Sequence, residues 1–250
     1  MNITIILSGG YGARFDSDTP KQYHKLYGHD VIAFPFTAAQ QSQLCECIIV
    51  AAHEPYIRYL NNTYGAECCS GGETHNETVS NALRYVGGKY PKCQNILFAD
   101  SVRPLVTSEI IDKYFEHLKD FDGVVTVQKI TDSLGKYSEQ FVDRKGYYLI
   151  QKPEAFRFAK LYEVFDANRD TTAITQQMPS DAKIEYSFSL RNNVKITYPE
   201  DLRIAETLLS FKHDARLSGG SYDICGNTRG RFRRKDAQAG FTETISTARK

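Results

Sequence analysis

Short apolar runs recur along the first half of the chain, and segments that mix polar with apolar positions separate them. The runs are rich in β-branched residues, which predicts buried strands, and the longer segments between them predict helices. Strands that alternate with helices indicate an α/β fold with a mainly parallel sheet covered on both faces. The predicted strands are Ile3–Leu7, Cys47–Ala52, Asn95–Ala99 and Gly123–Val127, and the predicted helices are Val31–Gln43, Pro55–Tyr64, Glu77–Val86 and Ser108–Leu118.

The second half of the chain contains weaker signals. Residues Lys183–Leu190 alternate between apolar and polar positions, which predicts a half-exposed strand. Thr197 and Glu200 have capping-box spacing, and Pro199 stands in the first turn of the helix that they predict. The apolar stripe of this closing helix consists of Ile204, Leu208 and Leu209.

Two segments differ from the alternating pattern. Residues 129–155 are polar, with turn signals at Leu134–Gly135 and Lys145–Gly146, and they predict a β-arm that leaves the sheet. From the residues alone, this arm serves either oligomerisation or no more than a surface hairpin. After Lys212 the apolar periodicity ends, so we expect one folded domain over 1–212 and a polar tail over 213–250, unstructured or a linker to a further domain. A basic cluster in this tail consists of Arg229, Arg231, Arg233, Arg234 and Lys235.

The composition of the chain argues against several classes of protein. The 250 residues carry a net charge of +1, so nothing draws the whole chain toward nucleic acid or a membrane. The first residues, MNITIILSGG, lack the basic region of a signal peptide, and no apolar run is long enough to span a bilayer. Six cysteines and six histidines show no zinc-site spacing. We therefore expect reduced thiols and a cytoplasmic location.

The stretch LSGGYGARFDSDTPKQY, residues 7–23, contains the strongest chemical signal. Glycines directly after the first strand of a parallel sheet lie at the sheet's carboxyl edge, where backbone N–H groups can approach a phosphate. Arg14 and Lys21 add two cations that suit a polyphosphate, although a solvated loop would also tolerate them. The loop is not a Walker motif. Phe15 occupies the place of the third glycine in a dinucleotide fingerprint, which argues against an oxidoreductase.

In this stretch, Gly9, Gly10, Gly12, Arg14 and the run Pro20–Gln22 resemble the signature of cytidylyltransferases of the methylerythritol-phosphate and ribitol-phosphate type. Four later stretches resemble that family's motifs in the same order, and the likeness covers roughly residues 1–210. They are SGGETHNETVSNAL, FADSVRPLV, VDRKGYYLIQKPEAF and NNVKITYPEDLRIAE. The resemblance implies a Rossmann-like nucleotidyltransferase fold with a protruding β-arm. It also implies a reaction in which CTP and a phosphorylated alcohol give a CDP-alcohol and pyrophosphate.

The resemblance further implies a role for each matching residue. Catalysis would rest on Arg14, Lys21 and Lys195, and Asp100 would hold Mg²⁺ as well as ribose. Contacts to CTP would come from Ser8, Gly9, Gly10, Gly12, Gly71, Gly72, Thr78 and Asp100. The phosphorylated alcohol would meet Arg103, Asp132, Ser133 and Arg144, with Arg144 supplied by the arm of a second subunit in a homodimer.

Departures from the family pattern bear on the acceptor. ADSVRP replaces a more usual His-Asp-Ala-Ala-Arg-Pro, and RDTTAITQQM matches the family's acidic segment only loosely. These differences favour ribitol 5-phosphate, or a related precursor of a surface glycan, over 2-C-methyl-D-erythritol 4-phosphate. A nucleotide-binding protein without turnover is the alternative from another class.

Overall fold

A computed structural model describes residues 1–10, 13–15 and 17–217. The strands are β1 Asn2–Ser8, β2 Lys25–Leu26, β3 His29–Asp30, β4 Cys47–Ala52, β5 Glu67–Ser70, β6 Asn95–Asp100, β7 Gly123–Lys129, β8 Tyr148–Arg157 and β9 Ile184–Ser187. The helices are α1 Ala33–Gln41, α2 Glu54–Tyr64, α3 His75–Lys89, α4 Ser108–His117, α5 Phe158–Val164 and α6 Asp201–Leu217. Short 3₁₀ helices occur at Ala13–Phe15, Lys21–Tyr23, Arg144–Gly146 and Ile174–Gln177.

Seven strands form one sheet in the order β5-β4-β1-β6-β8-β7-β9. The strands β5, β4, β1 and β6 are parallel, while β8 runs antiparallel between β6 and β7. A small antiparallel pair, β2 and β3, stands apart. The prediction of an α/β fold with a mainly parallel sheet is confirmed. Because four neighbouring strands point the same way, their carboxyl ends meet at one edge of the sheet.

Helices cover both faces of the sheet, which explains why the central strands carry apolar side chains on both faces instead of alternating with polar ones. Ile3 and Ile5 of β1 pack on the side of α3 and α5, whereas Ile6 packs on the opposite side with residues of α1 and α2. Residues of α4 lie on that second side too, against Leu97 and Ala99 of β6. The four predicted strands and four predicted helices of the first half are confirmed, with small shifts at their ends.

Residues 130–147 leave the sheet between β7 and β8. Tyr137 and Phe141 are largely exposed there, and Lys136 pairs with Glu139 across a short turn. The following residues return at once, because β8 pairs with β7 from Tyr148 onward and with β6 from Glu154 to Arg157. The excursion itself is therefore shorter than the segment 129–155 named from the sequence.

The predicted capping box at Thr197 is wrong, because α6 begins later, at Asp201. The carboxylate of Asp201 accepts hydrogen bonds from the N–H groups of Thr197 at 2.8 Å and Tyr198 at 2.9 Å, so it satisfies the turn before the helix. The Thr197 hydroxyl donates instead to the carbonyl of Lys195 at 3.1 Å. Leu209 is buried as predicted, but Ile204 is exposed. Helix α6 runs past residue 212, and the basic cluster of the tail lies outside the described residues.

Two further expectations concern the whole chain. Among the described residues, Cys45 and Cys69 are buried and Cys47, Cys68 and Cys93 are partly buried, all with free thiols. The sixth cysteine, Cys225, lies outside the described residues. Within the described part of the chain, no helix combines the length and apolarity that crossing a bilayer requires.

Candidate functional site

The carboxyl edge of the parallel strands gathers three segments that are distant in the sequence. Ser8 ends β1 and leads into Gly9, Ser70 ends β5 and leads into Gly71, and Asp100 ends β6. The N–H of Gly71 donates to the carbonyl of Ala52, at the end of β4, at 2.7 Å. The sheet topology therefore brings Gly9 and Gly71, two of the predicted nucleotide-binding glycines, to one place.

Thr78 of α3 holds the two glycine segments close together. Its hydroxyl accepts from the N–H of Gly72 at 3.0 Å and can donate to the carbonyl of Thr74 at 2.9 Å. A Cβ atom at Gly9 would lie 2.6 Å from Oγ1 of Thr78, and one at Gly72 would lie 2.3 Å from Cβ of Glu77. Both positions need glycine because the chains approach too closely for a side chain.

The segment that carries Lys21 is tied to the glycine loop by the next residue, Gln22. The buried amide of Gln22 donates to the carbonyls of Ser8 at 3.1 Å and Gly10 at 3.0 Å. The carbonyl of Gln22 accepts from the N–H of Ile32 at 3.0 Å. The loop and Lys21 are therefore held as one unit.

A cluster of tyrosines packs next to this unit. The hydroxyl oxygens of Tyr23 and Ser8 are 3.3 Å apart, within hydrogen-bond distance. The ring of Tyr23 stacks on that of Tyr56, with centroids 4.3 Å apart. Nearby, Tyr59 and Tyr64 both donate to the buried carboxylate of Asp30. Burial raises the pKa of Tyr23 to about 12, so its hydroxyl stays protonated and available as a donor.

Asp100 is the centre of a charged cluster on the other side of the loop. One oxygen of its carboxylate lies 3.0 Å from Nε of Arg103 and 3.5 Å from Nζ of Lys195. Burial alone would raise the pKa of Asp100, but the charges of Lys195 and Arg103 hold that pKa well below its usual range. The carboxylate is therefore ionised at neutral pH.

Lys195 reaches this cluster because its segment docks on the turn that follows β6. The guanidinium of Arg103 donates to the carbonyl of Asn193 at 2.6 Å, and the N–H of Ile196 donates to the carbonyl of Val102 at 2.9 Å. The Lys195 side chain remains 44% exposed, so it can contact a ligand above Asp100.

Two of the three predicted catalytic cations act on the third, which is Lys21. The pKa of Lys21 lies below its ordinary value, first because Lys21 is partly buried and then because the charges of Lys195 and Arg14 repel its proton. Arg14 is exposed in the short helix Ala13–Phe15. Cations that face one space at the end of a sheet favour an anion there, since an anion would relieve their repulsion.

Among the described residues, three predicted site residues do not join this cluster. Asp132, Ser133 and Arg144 are exposed on the arm, where the Arg144 guanidinium donates to the carbonyl of Thr131. Gly12 lies outside the described residues.

Some residues at this edge have no role in the sequence-based prediction. Asn193 links Arg103 to β8 because its amide donates to the carbonyl of Lys152 at 2.6 Å, a contact that no sequence pattern foretold. Lys152 and Glu154 form a buried ion pair within β8. The sequence could have indicated this ion pair, because two opposite charges flank Pro153 in a buried segment.

Metal-binding capacity at this edge is limited. The described residues contain no group of three or more His, Cys, Asp or Glu side chains that could hold a metal ion by themselves. Asp100 offers a single carboxylate beside the glycine loop. This donor set fits Mg²⁺, which takes few protein carboxylates and completes its shell with phosphate oxygens and water.

Comparisons with known proteins agree with the geometry. The family model IspD, described as 2-C-methyl-D-erythritol 4-phosphate cytidylyltransferase, matches residues 2–211. A protein of that description from Lachnospira eligens is 28% identical over 84% of this chain and 99% of its own length. A ribitol-5-phosphate cytidylyltransferase from Vibrio parahaemolyticus is 25% identical over 88% of this chain and 100% of its own length. The crystal structure of 4-diphosphocytidyl-2C-methyl-D-erythritol synthase from Anaerococcus prevotii superposes with a TM-score of 0.70 at 21% identity, covering 84% of this chain and 96% of that one.

Proposed function

The chain belongs to the IspD family of cytidylyltransferases, and from this premise we propose that it transfers CMP from CTP to ribitol 5-phosphate or a related phosphorylated polyol. The family fixes the reaction class, which is CTP-dependent nucleotidyl transfer. One observation carries the proposal for this chain. Nζ of Lys195 lies 3.5 Å from Asp100 at the edge where the glycine loop and Asp100 meet, and the pKa of Lys21 is lowered by burial and then by the charges of Lys195 and Arg14.

In this proposal the nucleotide lies across the carboxyl edge of the sheet. Ser8, Gly9, Gly10 and Gly12 wrap the triphosphate with backbone N–H groups. On the other side of the loop, Gly71, Gly72 and Thr78 meet the cytosine and ribose. Support comes from the tight packing of Gly9 and Gly72 around Thr78, which leaves the backbone as the lining.

The chemistry needs no general base. The nucleophile is a phosphate oxygen of the acceptor, and with a second pKa of about 6 this phosphate is largely dianionic at neutral pH. Its oxygen forms a bond to the α-phosphorus of CTP while the bond to the bridging oxygen breaks, and pyrophosphate leaves with the electron pair. Two anions must meet, so Arg14, Lys21 and Lys195 act by neutralising charge and fixing geometry.

A divalent cation completes the proposed site. Family members use divalent cations, and Asp100 would hold Mg²⁺ together with oxygens of the triphosphate. When bound, such an ion neutralises part of the triphosphate charge. The low pKa of Asp100 keeps its carboxylate available for this role across the neutral range.

Arg103 would face the phosphate of the acceptor from the turn after β6. Relatives of this chain include both 2-C-methyl-D-erythritol 4-phosphate and ribitol-5-phosphate cytidylyltransferases. We favour the ribitol type because this chain departs from the family pattern at ADSVRP and at RDTTAITQQM, on the acceptor side of the proposed site. The methylerythritol compound remains the second candidate acceptor.

The arm would complete the site of a second subunit in a homodimer. Asp132, Ser133 and Arg144 are exposed and take no part in the Asp100 cluster of their own subunit. Tyr137 and Phe141 expose large apolar surfaces on the same arm, as residues of a subunit interface would before assembly.

Pyrophosphate release tests the proposed function. The protein is incubated with CTP, Mg²⁺ and a panel of polyol phosphates that includes ribitol 5-phosphate and 2-C-methyl-D-erythritol 4-phosphate. We expect release with a polyol phosphate and faster release with the ribitol compound. CTP binding without release from any acceptor would instead support a nucleotide-binding protein without turnover.

A further inference from the structure

A buried ion pair lies beside the site and has no part in the reaction described above. Nζ of Lys152 lies 2.8 Å from Oε2 of Glu154, and their side chains are only 7% and 0% exposed. The same oxygen of Glu154 accepts from the N–H of Ile174 at 3.0 Å. Well-packed apolar side chains of similar volume would stabilise such a position as well or better, so stability alone does not explain the pair.

The pair lies at the level of Asp100 along the sheet. Phe98 of β6 is opposite Glu154 of β8, and the strands are antiparallel, so Lys152 is near the end of β6. The side-chain amide of Asn193 donates a hydrogen bond to the carbonyl of Lys152, and the guanidinium of Arg103 donates one to the carbonyl of Asn193. Lys152 therefore belongs to the wall that also carries Arg103 and Asp100.

Two neighbouring groups, His75 and Asp100, lie close enough to the ammonium group for its charge to shift their pKa values. The pKa of His75, at the start of α3, is lowered by burial and next by the charge of Lys152. The charge of Lys152 also contributes to the low pKa of Asp100, after those of Lys195 and Arg103. His75 is therefore neutral at pH 7, and the Lys152 ammonium lies near Asp100 while Glu154 balances its charge.

The hydrogen-bonding capacity of the pair is only partly used. An ammonium group has three donors, and the described residues use one of those of Lys152, on Glu154. Oε1 of Glu154 is buried and has no hydrogen-bond partner within the described residues. Because Lys152 and Glu154 cancel in charge, the pair suits a neutral hydroxyl group better than a further phosphate.

We propose that Lys152, held by Glu154, is a specificity-determining residue whose ammonium binds a hydroxyl group of the acceptor beside Asp100. This inference rests on the proposed function. It predicts that the enzyme distinguishes polyol phosphates by a hydroxyl group at one position of the carbon chain. A site built to donate to a substrate hydroxyl rejects an analogue that lacks it.

The test replaces both members of the pair, K152M/E154Q, so that no buried charge remains without a partner. Steady-state rates of pyrophosphate release are measured with the best wild-type acceptor, with its singly deoxygenated analogues, and with varied CTP. We expect KM for the acceptor to rise at least about tenfold while KM for CTP stays within about twofold. The preference of the wild type over one deoxy analogue should shrink by a similar factor in the variant. The matched control is K160M, since Lys160 pairs with Asp122 at 2.9 Å but is 53% exposed.

An unchanged acceptor KM in the folded double variant would overturn the inference, and so would equal rises in both KM values. If K152M/E154Q fails to fold, K152R keeps the charge but moves the donors, and it should raise KM for the acceptor alone by about threefold or more. An acceptor KM unchanged in K152R would then reject the inference. A wild-type protein that releases no pyrophosphate with any acceptor would reject the proposed function itself, which separates the two failures.

Discussion

Gln22 offers a direct test of how the glycine loop is held, because its amide is the link between the loop and Lys21. Gln22→Met keeps the length and volume of the side chain but removes both donors. The carbonyls of Ser8 and Gly10, at 3.1 and 3.0 Å from the amide nitrogen, would each lose a partner. The side chain is only 2% exposed, so water cannot easily replace the amide.

The expected magnitude follows from these two contacts. A neutral hydrogen bond contributes about 1 kcal/mol net, so two give about 2 kcal/mol. If the loop must hold its present shape in the transition state, this loss lowers kcat/KM for CTP by about 30-fold. The same loss in the stability of the whole domain would lower Tm by about 4–8 °C.

The assay is pyrophosphate release at varied CTP, with Tm measured in parallel. Gln43→Met is the matched control, since its exposed amide donates only to the nearby carbonyl of Gln41 at 3.3 Å. We expect the control to keep wild-type kinetics. A Gln22→Met protein with kcat/KM within about threefold of wild type would refute the account of the loop.

Three more predictions follow from the charges of the site. The pKa of Lys21 is lowered and its ammonium is the active form, so kcat/KM should fall as pH rises toward 10.5. Lys21→Arg should move this fall to higher pH. A pH profile that does not move in this variant contradicts the assignment of Lys21. Asp100→Asn leaves Arg103 enclosed without its anion, so it should lose about 3 kcal/mol of stability by chemical denaturation and at least about 100-fold in turnover, and unchanged stability contradicts the pairing. Mixing Arg144→Ala with Lys21→Ala subunits should restore about a quarter of wild-type activity if the arm acts in trans, whereas no recovery places Arg144 in its own subunit's site.

The sheet and its helices could be predicted because the central strands are buried on both faces and therefore read as continuous apolar runs. The start of helix α6 was harder to predict. Thr197 and Glu200 had the spacing of a capping box, in which the Glu200 side chain would accept from the N–H of Thr197, but the Asp201 carboxylate accepts from that N–H instead. Local spacing could not decide between two side chains that compete for the same donor.

The grouping of some candidate site residues at one edge of the sheet could be predicted, for a physical reason. The glycines and Asp100 follow strands, so a parallel sheet must bring them to one edge. Lys195 follows no strand, and its place depends on the bonds of Asn193 and Ile196 to the turn after β6. Such tertiary contacts leave no periodic trace, so for Lys195 only the resemblance to a family could indicate a role.

In the proposed reaction, fixed cations at this edge neutralise the triphosphate while a second phosphate attacks it. The most direct measurement is the single-turnover rate of Lys21→Ala with saturating CTP, Mg²⁺ and acceptor, beside its affinity for CTP. Loss of one charge-stabilising group should lower the rate at least about 100-fold while CTP still binds. An unchanged single-turnover rate in this variant would contradict this proposal.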